Sequence, residues 1–175
     1  MAKTSKKQLE VDEKKVIEQL QKNCMENLDI FAKNCGFSRQ KVWRIIKNLE
    51  HSKVVWGYTA INEPEALEKK HYVLLMKRNV QKINQKIVDI LLSRDFEVNV
   101  GSLGISIETS SYVHGEYDWI ATFLAPDIVR AKKFCELVKT TYPDTFQKLD
   151  LLETLFDIKR QNIVNPNAKK IRDLI

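Results

Sequence analysis

Residues 27–50 read NLDIFAKNCGFSRQKVWRIIKNLE, and the fold of the first half of the chain turns on them. Asn27 is a residue type whose side chain caps a helix start, and Leu28, Ile30, Phe31 and Ala32 follow it as a short apolar helix ending at Gly36. Ser38 offers a second cap, after which Val42, Ile45, Ile46 and Leu49 form one apolar stripe at helical spacing. Two short helices joined by Gly36-Phe37-Ser38 have the layout of a helix-turn-helix. The buried stripe leaves Arg39, Gln40, Trp43, Arg44 and Lys47 on the outer side of the second helix, next to its cap Ser38. Such a row of cations and amides can reach phosphates and base edges together in a major groove. Between Lys33 and Lys53 stand six basic residues and one acid, Glu50.

Outward from this core, residues 1–10 (MAKTSKKQLE) are polar and read as a loose lead-in. A helix is expected from Asp12, with Asp12 and Glu13 at its positive end and Val16, Ile17 and Leu20 on its apolar side. Downstream, Val54, Val55, Trp56, Tyr58 and Ile61 are β-prone and predict a strand, interrupted by Gly57 and ended before Pro64. The first domain is therefore a helix-turn-helix (winged-helix-like) unit over 1–53, with strand and linker over 54–69.

The second half changes period. Tyr72 to Met76 reads as a strand, and Ile83, Ile87, Ile90 and Leu91 as a helix face extending to about Arg94. Asp95 to Gly104 reads as a loop. Ile105 to Val113 and Tyr117 to Leu124 alternate as strands around the turn His114-Gly115. Pro126 suits the first position of a helix carrying Ile128, Ala131, Cys135 and Val138, and Leu149 to Ile158 is a last strand. The order β-α-β-β-α-β predicts an α+β, ferredoxin-like domain over 70–160, followed by a tail over 161–175. In the last strand, Leu152, Thr154, Phe156 and Ile158 alternate with Leu149, Leu151 and Leu155, so both sheet faces carry apolar residues. Helices cover one face of such a sheet only. A partner sheet would cover the other, which predicts a homodimer or larger homo-oligomer and, with twofold pairing, an approximate inverted repeat in double-stranded DNA.

With 175 residues, 43% hydrophobic and 30% charged, the chain has globular composition. No apolar run is long enough for a membrane helix. Three widely spaced cysteines with no Cys-x-x-Cys pair fit neither a zinc site nor a disulfide framework, so a reducing, cytoplasmic setting is expected. Residues 1–79 hold 16 Lys and Arg against 10 Asp and Glu, while residues 80–175 hold 13 of each; the whole excess of +6 lies in the first half. That asymmetry favours a polyanion partner for the first half.

The residues Ser38-Arg39-x-x-Val42-x-Arg44-x-Ile46-Lys47-x-Leu49-Glu50, followed by Val54-Val55-x-Gly57-Tyr58, resemble the Lrp/AsnC (feast/famine) transcription regulators. Leu28-x-x-Phe31-Ala32-Lys33-x-x-Gly36 fits their first motif helix, and Gly115-Glu116-Tyr117-Asp118 sits where they have Gly-x-Tyr-Asp. The resemblance spans roughly residues 12–160. It implies a DNA-binding transcription regulator whose second domain binds a small-molecule effector, an amino acid, between subunits near Gly115, Tyr117 and Asp118. Asp118 falls on a strand face with Ile120, Thr122 and Leu124, so its carboxylate would pair with a ligand amine or with a nearby Lys or Arg. Three features depart from the family pattern. Trp43 stands where a basic or polar residue is usual, the 95–104 segment is long, and the tail from Arg160 to Ile175 carries Lys169, Lys170 and Arg172.

Catalysis has little in its favour. His51, His71 and His114 stand far apart, with no phosphate loop or nucleophile elbow, and neither a cofactor nor a metal is expected. Siroheme decarboxylase subunits resemble the same two-part frame, and His114 is the one histidine near the expected pocket; a bound porphyrin would reveal that alternative by its visible absorbance. A third reading, an amino-acid sensor acting without DNA, would show no shift of any duplex at low salt.

Overall fold

A computed structural model of the chain describes residues 6–80 and 85–175. By contacts the chain divides into two compact units, 1–61 with 158–175, and 62–157.

The first unit is built on three helices, α1 (Lys6–Lys22), α2 (Leu28–Cys35) and α3 (Arg39–His51). Val16 from α1, Phe31, Ala32 and Cys35 from α2, and Val42, Ile45 and Leu49 from α3 form its core. The first helix begins at Lys6, inside the stretch expected to be loose, and residues 1–5 lie outside the described residues. Asp12 accordingly does not mark a helix start. It sits mid-helix with 1% of its surface exposed. Its carboxylate accepts from Gln8 Nε2 at 3.0 Å and pairs with Lys41 Nζ of α3 at 2.6 Å. An aspartate in an apolar helix face is tolerable because a cation from another helix meets it.

The strand expected over Val54 to Ile61 is absent. The amides of Val54 and Val55 both donate to Leu49 O, at 3.0 and 3.1 Å, and so close the C-terminal end of α3. From Trp56 to Glu63 the backbone is irregular, and Trp56 is 95% exposed. High β-propensity forms no strand without a neighbour to pair with. The second unit opens with a short 3-10 turn, Pro64–Leu67.

That unit orders as β1 (Lys70–Arg78), α4 (Gln85–Ser93), α5 (Asp95–Gly101), β2 (Ser106–Tyr112), β3 (Trp119–Ala125), α6 (Ile128–Thr141) and β4 (Phe146–Glu153). Its antiparallel sheet runs β2-β3-β1-β4, the ferredoxin-like order. Tyr72, Leu74 and Met76 pair across with Phe123, Ala121 and Trp119 on one side and with Glu153, Leu151 and Leu149 on the other. This face packs under the helices through Ile87, Val100, Ala131, Phe134 and Val138.

Four elements differ from the sequence reading. The expected loop over 95–104 contains α5, because Phe96 and Val100 lie one turn apart and both reach the core; Phe96 packs 5.6 Å from Phe134 and 5.5 Å from Tyr142. The helix before it spans Gln85–Ser93, and Ile83, expected on its apolar face, lies outside the described residues. Pro126 precedes α6 rather than opening it. Asp127 is the cap, its Oδ1 accepting from Arg130 N at 2.8 Å. The last strand ends at Glu153, so Phe156 and Ile158 do not extend the face that carries Leu152, while Thr154, one residue past the end, still donates its amide to His71 O at 2.9 Å. Beyond it the tail forms a two-strand hairpin, β5 (Lys159–Arg160) with β6 (Ile163–Val164), and a 3-10 turn over Ala168–Asp173.

The Asp12–Lys41 pair gives a prediction with a definite sign. The hydrogen bond from Lys41 holds the Asp12 carboxyl below its ordinary 3.8, against the opposing effect of burial. A depressed folded value means that the stabilisation is complete above the unfolded value and fades as the pH falls through the folded one. Asp12→Asn is expected to cost about 1–3 kcal/mol at pH 7, less than a fully buried pair, because the Lys41 side chain keeps 33% of its surface in water. Urea unfolding checks this, and the gap between parent and variant should narrow below about pH 4.

Candidate nucleic-acid interface and effector turn

The turn between α2 and α3 follows from local chemistry. Asn27 Oδ1 accepts from Asp29 N at 2.8 Å and starts α2. Gly36 ends it at φ 71° and ψ 33°, a left-handed conformation that residues with a Cβ disfavour. The amide of Phe37 donates to Ala32 O at 2.9 Å, and Ser38 Oγ accepts from Lys41 N at 3.3 Å to open α3. All six residues singled out here, Ser38, Arg39, Gln40, Trp43, Arg44 and Lys47, are exposed. A shallow, open depression of about 690 Å³ is lined by Leu28, Lys41 and every one of them except Lys47.

The charges on α3 are not equivalent. Lys41 turns inward to Asp12, its ammonium 4.0 Å from the centre of the Phe37 ring. Lys47 Nζ meets Glu50 Oε2 at 2.7 Å, and Tyr58 donates to Glu50 Oε1 at 3.1 Å. The Lys47 hydrogen bond, helped by Tyr58, holds the Glu50 carboxyl below its ordinary range. Arg39 stands 3.6 Å from Asp29 across exposed surface, and Arg44 has no ion-pair partner among the described residues. The unit that presents this face is strongly basic. Residues 1–61 and 158–175 together hold 17 Lys and Arg against 8 Asp and Glu, a charge of +9; residues 62–157 hold 12 against 15, or −3.

The turn between β2 and β3 is arranged differently from the sequence expectation. Gly115 is exposed at its tip, as is His114. Asp118 comes one residue before β3, so it does not share a strand face with Ile120, Thr122 and Leu124. Its Oδ2 accepts from the Arg78 backbone amide at 2.8 Å, while its own amide donates to Met76 O at 3.0 Å. A backbone N–H takes the place expected for a cation. Tyr117 goes elsewhere, its hydroxyl donating to Asp150 Oδ2 at 2.5 Å. Lys148 Nζ meets the same oxygen at 2.6 Å and donates to the Tyr117 hydroxyl at 3.3 Å. Lys148, and after it Tyr117, keeps the Asp150 carboxyl below its ordinary range, and Asp150 raises the Tyr117 phenol in return. Gly115, Tyr117 and Asp118 thus do not converge within one chain. Sequence reasoning missed Lys148 and Asp150, although opposite charges two apart on a strand share a face.

Neither a family model nor a curated protein matches the sequence. Solved structures do match in shape. PH0061 superposes with a TM-score of 0.68 at 16% identity, covering 93% of this chain and 100% of that one. An AsnC family transcriptional regulator from Agrobacterium tumefaciens gives 0.62 at 16% identity, over 88% of this chain and 95% of its own. The transcriptional regulator NMB0573 of Neisseria meningitidis, in complex with L-Met, gives 0.62 at 17% identity, over 95% and 99%.

The chain has the fold of the AsnC-type transcriptional regulators. Its helix-turn-helix and its ferredoxin-like unit are the two parts of that AsnC-type fold, at an identity where the backbone is shared and most side chains are not. Among the described residues, no helix is long and apolar enough to cross a membrane.

The turn between α2 and α3 can be tested apart from any ligand. A Cβ at Gly36 would meet no atom within 4 Å, so only backbone strain opposes one. Gly36→Ala is expected to lower stability by about 1–2 kcal/mol, and Gly36→Asn by less, as read from urea midpoints.

Proposed function

We propose that the chain is a sequence-specific, DNA-binding transcription regulator of the Lrp/AsnC type that answers to a small-molecule effector. One observation carries the reading. A capped α3 lays Arg39, Gln40, Trp43, Arg44 and Lys47 on its exposed side, within a unit of charge +9. Its anchored stripe makes this face rigid, which sequence readout requires. In this reading Arg44, free of an ion pair among the described residues, reads a base. Lys47, in the same reading, meets a phosphate that displaces Glu50 as its partner. The structural neighbours named as transcriptional regulators support the same reading.

The working form in this reading is a homodimer or larger homo-oligomer on an approximate inverted repeat. The sheet supports it. On the face away from the helices, Val73, Leu75, Ile120 and Leu152 stand together by register, and Leu152 is half exposed. An unpaired apolar sheet face favours a second copy of itself. Selection from a random duplex pool is the direct test, with sites expected to read as inverted repeats. Arg44→Ala should then cost about 1–3 kcal/mol and relax one position in each half-site. Lys47→Ala should weaken all sequences alike and make the salt dependence shallower. Variants that bind like the parent at every salt concentration would remove α3 as the reading helix.

The effector in this reading is an amino acid held beside Gly115, Tyr117 and Asp118, with a second subunit completing the site. The L-Met complex of the Neisseria meningitidis regulator supports the class of ligand. Asp118→Asn retains an oxygen for the Arg78 amide but removes the charge that an α-amino group would seek. Calorimetry with the twenty amino acids is expected to show saturable binding to the parent that this variant weakens. No binding at millimolar concentration would remove the effector from the reading and leave DNA binding standing.

A further inference from the structure

Trp43 is out of keeping with its surroundings. It lies on the outer side of α3, one turn after Arg39 and Gln40 and one turn before Lys47, with Arg44 beside it. Its flanking core positions, Val42 and Ile45, are buried at 0% and 2% exposure, yet Trp43 is 57% exposed. An indole left in water gives folding little, since apolar area stabilises only when removed from water. Among the described residues it also makes no ring-stacking or cation–π contact of the kind that Phe37 makes with Lys41. The half-buried Leu28 of α2 lines the same depression, so an apolar patch sits inside a cationic and amide rim.

A patch of that composition has few matching surfaces. A protein partner would have to neutralise Arg39, Arg44 and Lys47 while covering the ring. Duplex DNA supplies the negative charge from its phosphates. Its major groove displays one apolar group, the 5-methyl of thymine. We infer that Trp43 is a specificity residue that reads thymine by covering its 5-methyl group, between phosphate and base contacts made by the cations around it. The inference deepens the DNA-binding reading and rests on it. It also gives a role to the residue that departs most from the pattern of polar and basic neighbours on this helix.

Deoxyuridine pairs as thymine does and lacks only that methyl group, so it isolates the contact. In the best duplex from the selection, each thymine is replaced singly by deoxyuridine. Binding of the parent, Trp43→Phe and Trp43→Ala is then measured by fluorescence anisotropy, with helix content and melting recorded for each. Because Trp43 is exposed, all three chains should fold alike. The parent is expected to lose about fourfold in affinity at one thymine of each half-site, the change that one buried methyl group gives. Trp43→Phe keeps an aromatic face and should keep that ratio. Trp43→Ala should bind more weakly and show a ratio near one. A flat deoxyuridine scan in a parent that binds duplex tightly overturns the inference and leaves the DNA-binding reading intact. So does a ratio that survives in Trp43→Ala. A flat scan in which Trp43→Phe is as weak as Trp43→Ala would assign the indole N–H as a donor instead. A parent that binds no duplex at low salt overturns both readings together.

Discussion

Val42, Ile45 and Leu49 have to leave water, and that requirement sets the orientation of α3. Burying each is worth about 1.5–3 kcal/mol, and all three go beneath Val16 and Phe31. At 3.6 residues per turn, once this stripe is fixed the direction of every other side chain on the helix is fixed too. Arg39, Gln40, Trp43, Arg44 and Lys47 are outside because three aliphatic residues are inside. Lys41 falls at the border between the two, and the buried carboxylate of Asp12 draws it inward. The pair removes one cation from the exposed row and ties α1 to α3. The same contact therefore contributes to stability and to the pattern of charge that a ligand would meet.

The second unit obeys the same rule at period two. Tyr72, Leu74 and Met76 of β1 are buried beneath the helices, so Val73 and Leu75 must face the other way. Neighbouring strands place Ile120, Thr122 and Leu152 beside them. No helix of this unit is needed to explain that apolar side, and its polar members pair among themselves at the margins. His71 meets Glu108 at 3.3 Å and Thr154 at 2.7 Å, while Tyr117, Lys148 and Asp150 form the other group. Polar groups that are paired before any partner arrives cost less to desolvate when one does.

What could be read from the sequence was what depends on near neighbours. The caps Asn27 and Ser38, the left-handed Gly36 and the stripe on α3 all act within a few residues, and each stands where spacing placed it. The unread parts depend on partners distant in the chain. Asp12 looked like a helix start because a carboxylate suits that position; only Lys41 explains its place in the core. Val54 and Val55 have strand propensity, but their amides serve the end of α3. The 95–104 segment reads as a loop in sequence, and the decisive fact is that Phe96 and Val100 reach a sheet formed by other strands. Asp118 was placed by strand parity, which failed because β3 starts one residue later.

Charge has the same dependence on what folds together. The chain total of +6 is a sum over two units of opposite sign, +9 and −3. At physiological ionic strength exposed charges act over about 8 Å, so a polyanion responds to the nearby unit and not to the total. The tail 158–175 brings five Lys and Arg against one Asp, and it groups with the helical unit although its sequence follows the other. Division of the sequence at mid-chain had counted those cations with the acidic unit, which made the second half look neutral. The fold sorts them differently. The unit that carries α3 is more basic, and the ferredoxin-like unit more acidic, than their order along the chain implies.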